Sequence, residues 1–166
     1  SVFSGGMLIE DLNRDGNRDM LFGGQLSSGY LYQNNYENGT ISTSDFGSLQ
    51  IINNLRFIQN TSGNAGRLSI ADFNGDGKPE IINPQYSSRN NRFSILMNNN
   101  TIGENTTLSG NSFSNDFSSS LFNYGSVFGV DLDQDGKPDF VAFDQSNIIV
   151  GRSKLGDVPT IIVEGS

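Results

Sequence analysis

Three copies of one acidic motif are the main constraint on how this 166-residue chain folds. The segments 11–19, 72–80 and 131–139 all follow the pattern D-x-[ND]-x-D-G-x-x-[DE] and begin 61 and 59 residues apart. A period of this length indicates a repeat architecture built from similar supersecondary units. Short, β-prone apolar segments flank each copy, for example 127–130 and 140–143. The motif is therefore predicted to connect two strands, and the chain is predicted to be all-β.

The residue types in each motif predict a calcium loop. Oxygen-bearing side chains occupy positions 1, 3 and 5, and the glycine at position 6 permits a sharp turn. The backbone carbonyl of position 7 and the acid at position 9 complete a set of hard oxygen ligands, which suits Ca²⁺. The sequence thus predicts up to three Ca²⁺ ions, one per loop. The expected ligands are Asp11, Asn13, Asp15, Asn17 and Asp19, then Asp72, Asn74, Asp76, Lys78 and Glu80, then Asp131, Asp133, Asp135, Lys137 and Asp139.

The loops are not EF-hands. An EF-hand requires a bidentate glutamate at position 12, where this chain has Phe22, Asn83 and Ala142. Position 2 is apolar in all three copies, and its side chain is expected to point into the core. Those residues are Leu12, Phe73 and Leu132.

Composition excludes several classes of function. Cysteine and histidine are absent, which removes thiol catalysis, disulfides, Cys/His zinc sites and histidine-based triads. The net charge is −8, and the three motifs hold ten of the 18 carboxylates. No basic patch is available for nucleic acid, and no apolar stretch approaches the roughly 18 residues of a membrane span. No nucleophile–base pair is recognisable, so no catalytic residue is predicted and an enzyme is the least favoured class.

The repeat spacing divides the chain into segments. The whole chain, 1–166, is interpreted as one repeat domain with a lead-in strand (1–10), two repeats (11–71 and 72–130) and a partial third repeat (131–166). Four strands are predicted in the second repeat, near 67–71, 80–83, 92–97 and 112–117. The segment 158–163 is predicted to be a final edge strand, with a strand donated to a neighbouring chain as the alternative.

The repeated motif, the strand after it and the later strands that end in Asn34 and Asn98 resemble the FG-GAP/VCBS repeat family. That family supplies the calcium-loop blades of integrin α-subunits and of many secreted bacterial surface proteins. The resemblance implies β-propeller-type blades of four antiparallel strands, each stabilised by a calcium loop. Because propellers generally have about four to eight blades, the chain is expected to be a segment of a larger propeller or assembly.

The function expected from these features is a non-enzymatic, calcium-stabilised structural or adhesion module. The module is expected to be extracellular, either secreted or at the cell surface, with a protein or glycan ligand there. One alternative is a carbohydrate-binding propeller that uses exposed aromatic residues. The other is a homo-oligomer, the subunit of a self-assembling surface filament in which neighbouring copies complete open blades. Neither nucleic-acid binding nor membrane insertion is expected.

Overall fold

The computed structural model describes residues 7–23, 28–53, 55, 68–85, 92–103, 108–110, 113–119, 126–143 and 148–151. These residues form eleven β-strands and one 3-10 helix at Thr43–Asp45, with no α-helix among them. The all-β prediction is confirmed. Within the same residues, no helix is long and apolar enough to cross a membrane. The segment 158–163 and the rest of the chain beyond Gly151 lie outside the described residues.

The strands form three antiparallel sheets in chain order. The first sheet consists of β1 (Met7–Glu10), β2 (Asp19–Gly23), β3 (Ser28–Tyr32) and β4 (Gln50–Asn53). The second consists of β5 (Ser69–Ala71), β6 (Glu80–Gln85), β7 (Arg92–Asn98) and β8 (Phe113–Ser119). The third consists of β9 (Ser126–Val130), β10 (Asp139–Phe143) and β11 (Ile148–Gly151). Consecutive strands are neighbours in every sheet, and the four strands predicted for the second repeat correspond to β5–β8.

Every acidic motif connects the first two strands of a sheet. The register pairs Glu10 with Asp19 on either side of the first loop, Ala71 with Glu80 at the second, and Val130 with Asp139 at the third. The strand–loop–strand arrangement predicted from sequence is therefore present at all three motifs. Each sheet includes the strand that precedes its loop, so the structural units begin a few residues before the motifs.

The sheets pack in sequence, and the second sheet contributes to two cores. Ile81 and Leu96 are register partners that point to the first sheet, whereas Ile82 and Ile95 are register partners that point to the third. This division follows from the two-residue period of a strand, which places successive side chains on opposite faces. The face of a sheet on the side of the next sheet along the chain is called its front face, and the opposite face is called its back face.

Both cores are apolar and nearly closed to solvent. The first core lies between the first and second sheets and includes Leu21, Leu31 and Phe113. The second core lies between the second and third sheets, where the rings of Phe73 and Phe140 stack with centroids 4.5 Å apart. The backbone at Gly129 approaches the second sheet so closely that a Cβ there would lie 2.5 Å from Cβ of Ala71.

The prediction that position 2 points into the core is right for two loops and wrong for the third. Leu12 is buried in the first core and Phe73 in the second. Leu132 is exposed, because no described sheet follows the third and covers its front face. The side chain has the same local placement in the motif, but its burial depends on a neighbouring sheet.

Candidate metal centres

The three acidic loops fold by the same side-chain-to-backbone hydrogen bonds. The carboxylate at position 1 accepts from the backbone N–H of the position 6 glycine, with N···O distances of 3.0 Å at Asp11, 2.8 Å at Asp72 and 2.9 Å at Asp131. The position 3 oxygen accepts from the N–H of position 5 at 3.3, 3.0 and 3.3 Å. The position 5 carboxylate accepts from the N–H of position 7 at 2.8, 2.9 and 3.0 Å. The predicted side-chain ligands therefore fold back over one compact loop in each copy.

Two positions of every loop have left-handed backbone conformations. The glycine at position 6 has φ between 85° and 94°, as expected for a residue without a Cβ. Position 4 also has positive φ, at 56° in Arg14, 73° in Gly75 and 59° in Gln134. Only the second loop has glycine there, so Arg14 and Gln134 hold a conformation that costs a non-glycine residue free energy.

The acid at position 9 ties the end of each loop to its beginning. A carboxylate oxygen accepts a hydrogen bond from the backbone N–H of position 2, at 3.0 Å for Asp19, 2.8 Å for Glu80 and 3.1 Å for Asp139. All three acids are buried, because they stand at the start of an inner strand of the sheet. Buried carboxylates require compensation by hydrogen bonds or by a cation.

Asp19 obtains part of that compensation from the backbone. Its Oδ1 accepts a hydrogen bond from the backbone N–H of Asn34, at 2.9 Å, while Oδ2 is bonded to Leu12. Burial nevertheless raises the pKa of Asp19 to about 6; the two backbone N–H groups oppose this effect, and the charges of Asp15 and Asp11 add to it. Without a bound cation, the charged form of Asp19 is thus disfavoured relative to an aspartate in water.

Glu80 is compensated less completely. Burial raises the pKa of Glu80 to about 7; the backbone N–H groups of Phe73 and Asn98 oppose the rise, and the charges of Asp76 and Asp72 add to it. Its Oε2 accepts from Phe73, but its buried Oε1 makes no hydrogen bond of normal length and angle among the described residues, so Asn98 compensates the carboxylate only weakly. An orphaned carboxylate oxygen at the end of an acidic loop is a coordination position that suits a cation.

Lysine at position 7 forms an ion pair with the aspartate at position 5 in the second and third loops. The ammonium of Lys78 lies 3.0 Å from Asp76, and that of Lys137 lies 3.3 Å from Asp135. Burial raises the pKa of Asp76, but the hydrogen bonds from the backbone and side chain of Lys78 outweigh it and leave the pKa below its usual range. The first loop has Asn17 at this position. Coordination by the carbonyl oxygens of Asn17, Lys78 and Lys137 stays a prediction.

The third loop brings three carboxylates together. Among the described residues, one oxygen each from Asp131, Asp133 and Asp139 lies within 4.8 Å of the others. Asp131 and Asp133 are exposed, whereas Asp139 is buried.

The donor set in all three loops is composed of carboxylate and amide oxygens, which are the ligands that Ca²⁺ prefers over softer metals. Together with the orphaned oxygen of Glu80, this chemistry fits a calcium ion.

Sequence reasoning missed two features of the loops. The left-handed backbone at position 4 is signalled only by Gly75, and the arginine and glutamine at the equivalent positions conceal it. The bond between position 9 and the N–H of position 2 has no signal in side-chain types, because any residue other than proline supplies a backbone N–H at position 2.

One part of this chain matches a known protein family. Residues 11–83 match the family model described as an FG-GAP-like repeat, so the match spans the first two loops and the strands between them. The third loop lies outside the match and is related to the other two by its motif and its hydrogen bonds. Comparison with curated proteins and with solved structures found no match. The segment 11–83 is therefore similar to the FG-GAP-like repeat family.

Proposed function

We propose that this chain is a calcium-stabilised structural or adhesion module that works outside the cell. FG-GAP-like repeats are typically non-catalytic, extracellular and of the β-propeller type, which supports this assignment. The side chains of positions 1, 3, 5 and 9 would hold one Ca²⁺ in each loop. Bound Ca²⁺ would supply positive charge next to carboxylates that burial otherwise disfavours in their ionised form.

The observation that carries the proposal is the environment of Glu80. Its side chain is fully buried, its pKa is raised to about 7, and Oε1 makes no hydrogen bond of normal length and angle among the described residues. A buried acid with one unsatisfied oxygen is costly unless a cation accompanies it. Asp19 and Asp139 occupy the same position and are also buried. Asp19 shares the raised pKa, although both of its oxygens accept backbone hydrogen bonds.

Calcium binding would link folding to the extracellular environment. Extracellular calcium modules have dissociation constants of about 10⁻⁴–10⁻³ M, which suits a site that is filled only outside the cell. A ligand that binds the folded state adds about 1.4 kcal/mol of stability per site when its free concentration is about ten times Kd. The loops connect the strands of every sheet, so their occupancy would affect the whole stack.

Thermal unfolding in Ca²⁺, in Mg²⁺ and in a chelator tests this proposal. We expect Ca²⁺ to raise the melting temperature and Mg²⁺ at the same concentration to raise it less, because Mg²⁺ dehydrates reluctantly and demands a stricter geometry. Isothermal titration with Ca²⁺ should then give up to three sites. An identical melting temperature in Ca²⁺ and in chelator would contradict calcium stabilisation.

A second candidate function is a subunit of a self-assembling filament. The observation that favours it is the exposure of apolar side chains on the outer faces of the first and third sheets, including Met7, Phe128 and Ile148. Carbohydrate binding stays a prediction. Phe73 and Phe93 lie in the core and cannot reach a sugar, and the half-buried Phe22 and Tyr32 on the first sheet are the better candidates for such a role.

A further inference from the structure

The front face of the third sheet carries residues equivalent to those buried on the front faces of the first and second sheets. Among the described residues, however, no sheet covers it. Position 2 is 1% exposed at Leu12, 2% at Phe73 and 49% at Leu132. The same difference in exposure occurs on the next strand, between β7 of the second sheet and β11 of the third. Phe93, opposite position 13 of the second motif, is 3% exposed, whereas Ile148, opposite position 13 of the third, is 61% exposed.

The strand before the loop shows the same relationship. In the second sheet, Ser69 and Ala71 face the third sheet: Oγ of Ser69 donates to the carbonyl of Val127 at 3.0 Å, and Ala71 packs on the second core. The equivalent residues of the third sheet are Phe128 and Val130, both exposed. At these two positions the open face carries larger apolar side chains than its buried counterpart, which is unfavourable for a surface left in water.

The back face of the first sheet is the complementary open surface. In the second sheet, the residues four and two positions before the loop, Leu68 and Ile70, pack on the first core. The equivalents in the first sheet are Met7 and Ile9, and both are exposed. The aromatic pair of Phe22 and Tyr32, with ring centroids 6.3 Å apart, extends this apolar face across β2 and β3.

We propose that the front face of the third sheet in one copy of the chain binds the back face of the first sheet in a second copy. The interface would continue the front-to-back packing that already joins the sheets at the two internal cores, with residues at the same motif positions. The two faces lie at opposite ends of the stack, so the contact is head-to-tail. Contacts of this type form a closed ring if the rotation closes and a filament if it does not.

This inference deepens the second candidate function and names the surfaces through which copies would associate. It rests on apolar packing between sheets and not on the chemistry of the calcium loops. Its failure is therefore distinguishable from failure of the calcium proposal: the oligomeric state tests one, and the calcium dependence of the melting temperature tests the other.

Analytical ultracentrifugation of two complementary variants tests the interface. Ile148→Asp blocks the front face, and Ile9→Asp blocks the back face, both at exposed positions. The control is Ile41→Asp, which places the same charge at an exposed isoleucine outside both faces. Circular dichroism and thermal unfolding of each variant, measured in Ca²⁺, establish that it is folded.

We expect the unmodified chain and the control to show a mass that increases with concentration. Each blocked variant alone should associate at least about tenfold more weakly, because a charge is buried in the contact. An equimolar mixture of the two blocked variants should form a one-to-one dimer, since one copy retains the front face and the other retains the back face. A monomeric unmodified chain at every concentration would overturn the proposal. If the Ile9→Asp variant associated with itself as strongly as the unmodified chain does, the contact would be front-to-front, and the proposal would also be overturned.

Discussion

The side-chain amide of Asn98 donates a hydrogen bond of 2.9 Å to the backbone carbonyl of Leu12, 86 residues earlier in the chain. This bond connects the end of β7 in the second sheet to the first acidic loop. A second bond, from the backbone N–H of Gly103 to the carbonyl of Asn13 at 2.7 Å, reinforces the same contact. The first loop is thus held by its own motif and by the following sheet.

Replacing Asn98 with alanine should destabilise the fold by about 1–3 kcal/mol, because the carbonyl of Leu12 would lose a buried hydrogen bond. The side chain of Asn98 also accepts from the backbone N–H of Asn100, which adds to the loss. Urea unfolding measures the change. Asn53→Ala, at an exposed position of β4, is the control and should shift the midpoint little. Equal midpoints for the two variants would show that the bond between the sheets contributes nothing to stability.

Glu80→Gln should have opposite effects with and without calcium. In chelator, the substitution removes a buried charge while retaining an oxygen that can accept from Phe73, so stability at pH 7.5 should be unchanged or increased, by up to about 3 kcal/mol. In Ca²⁺, the lost ligand charge should reduce the calcium-dependent rise in melting temperature. Differential scanning calorimetry in both buffers measures the two effects.

The matched control for this prediction is Glu37→Gln, which makes the same change at an exposed position outside the loops. It should behave as the unmodified chain in both buffers. If Glu80→Gln also leaves the calcium-dependent rise intact, Glu80 is not a calcium ligand.

The metal-free protein should lose stability as the pH rises from about 4 to about 7. The pKa values of Asp19 and Glu80 are raised to about 6 and about 7 from ordinary values of 3.8 and 4.5, so the folded state binds more protons than the unfolded state in this range. The stabilising contribution of these two groups is complete below the unfolded pKa values and disappears as the pH passes the folded ones. We expect an effect on the order of 4 kcal/mol between pH 5 and pH 7.5, measured by urea unfolding in chelator.

A double variant isolates this pH effect from that of the other carboxylates. Asp19→Asn with Glu80→Gln removes both titrating groups and should flatten the dependence on pH. A slope that is the same in the double variant and in the unmodified chain would exclude these two acids as its cause.

The left-handed residues at position 4 predict a stabilising substitution. Arg14→Gly should increase the free energy of unfolding by about 0.5–1 kcal/mol, because glycine adopts a φ of 56° without the steric cost that arginine bears. Gly75→Ala should have the opposite sign for the same reason. Arg18→Gly, in the same loop and outside the positive-φ positions, is the control and should not stabilise. Thermal and urea unfolding compare the three variants.

Close packing at Gly129 predicts a large cost for the smallest possible substitution. The Cβ of Gly129→Ala would lie 2.5 Å from Cβ of Ala71 and 3.0 Å from the ring of Phe73, so β9 would have to move away from the second sheet. We expect a loss of about 1–3 kcal/mol in urea unfolding. Ala71→Gly in the same chain removes one of the two obstructing atoms and should restore part of the loss. Absence of any rescue would indicate that the cost arises elsewhere.

Much of the loop structure could be predicted from sequence because its determinants are local. Within nine residues, alternating oxygen side chains and one glycine specify the turn, and the flanking β-prone segments specify the strands. Short β-prone segments separated by turn residues also predicted the positions of the four strands in the second sheet. These features depend on hydrogen bonds between residues that are close in the chain, such as Asp11 with Gly16, so a short window of sequence contains both partners.

The environment of each side chain depended on the tertiary structure. Leu12, Phe73 and Leu132 are equivalent in sequence, yet the first two are buried and the third is exposed, because burial requires a following sheet. The raised pKa of Glu80 likewise results from burial beneath neighbouring elements, and the contact between Asn98 and Leu12 joins residues from different repeats. Hydrophobic burial and the desolvation of charge are properties of packed surfaces, so residues distant in the chain decide them.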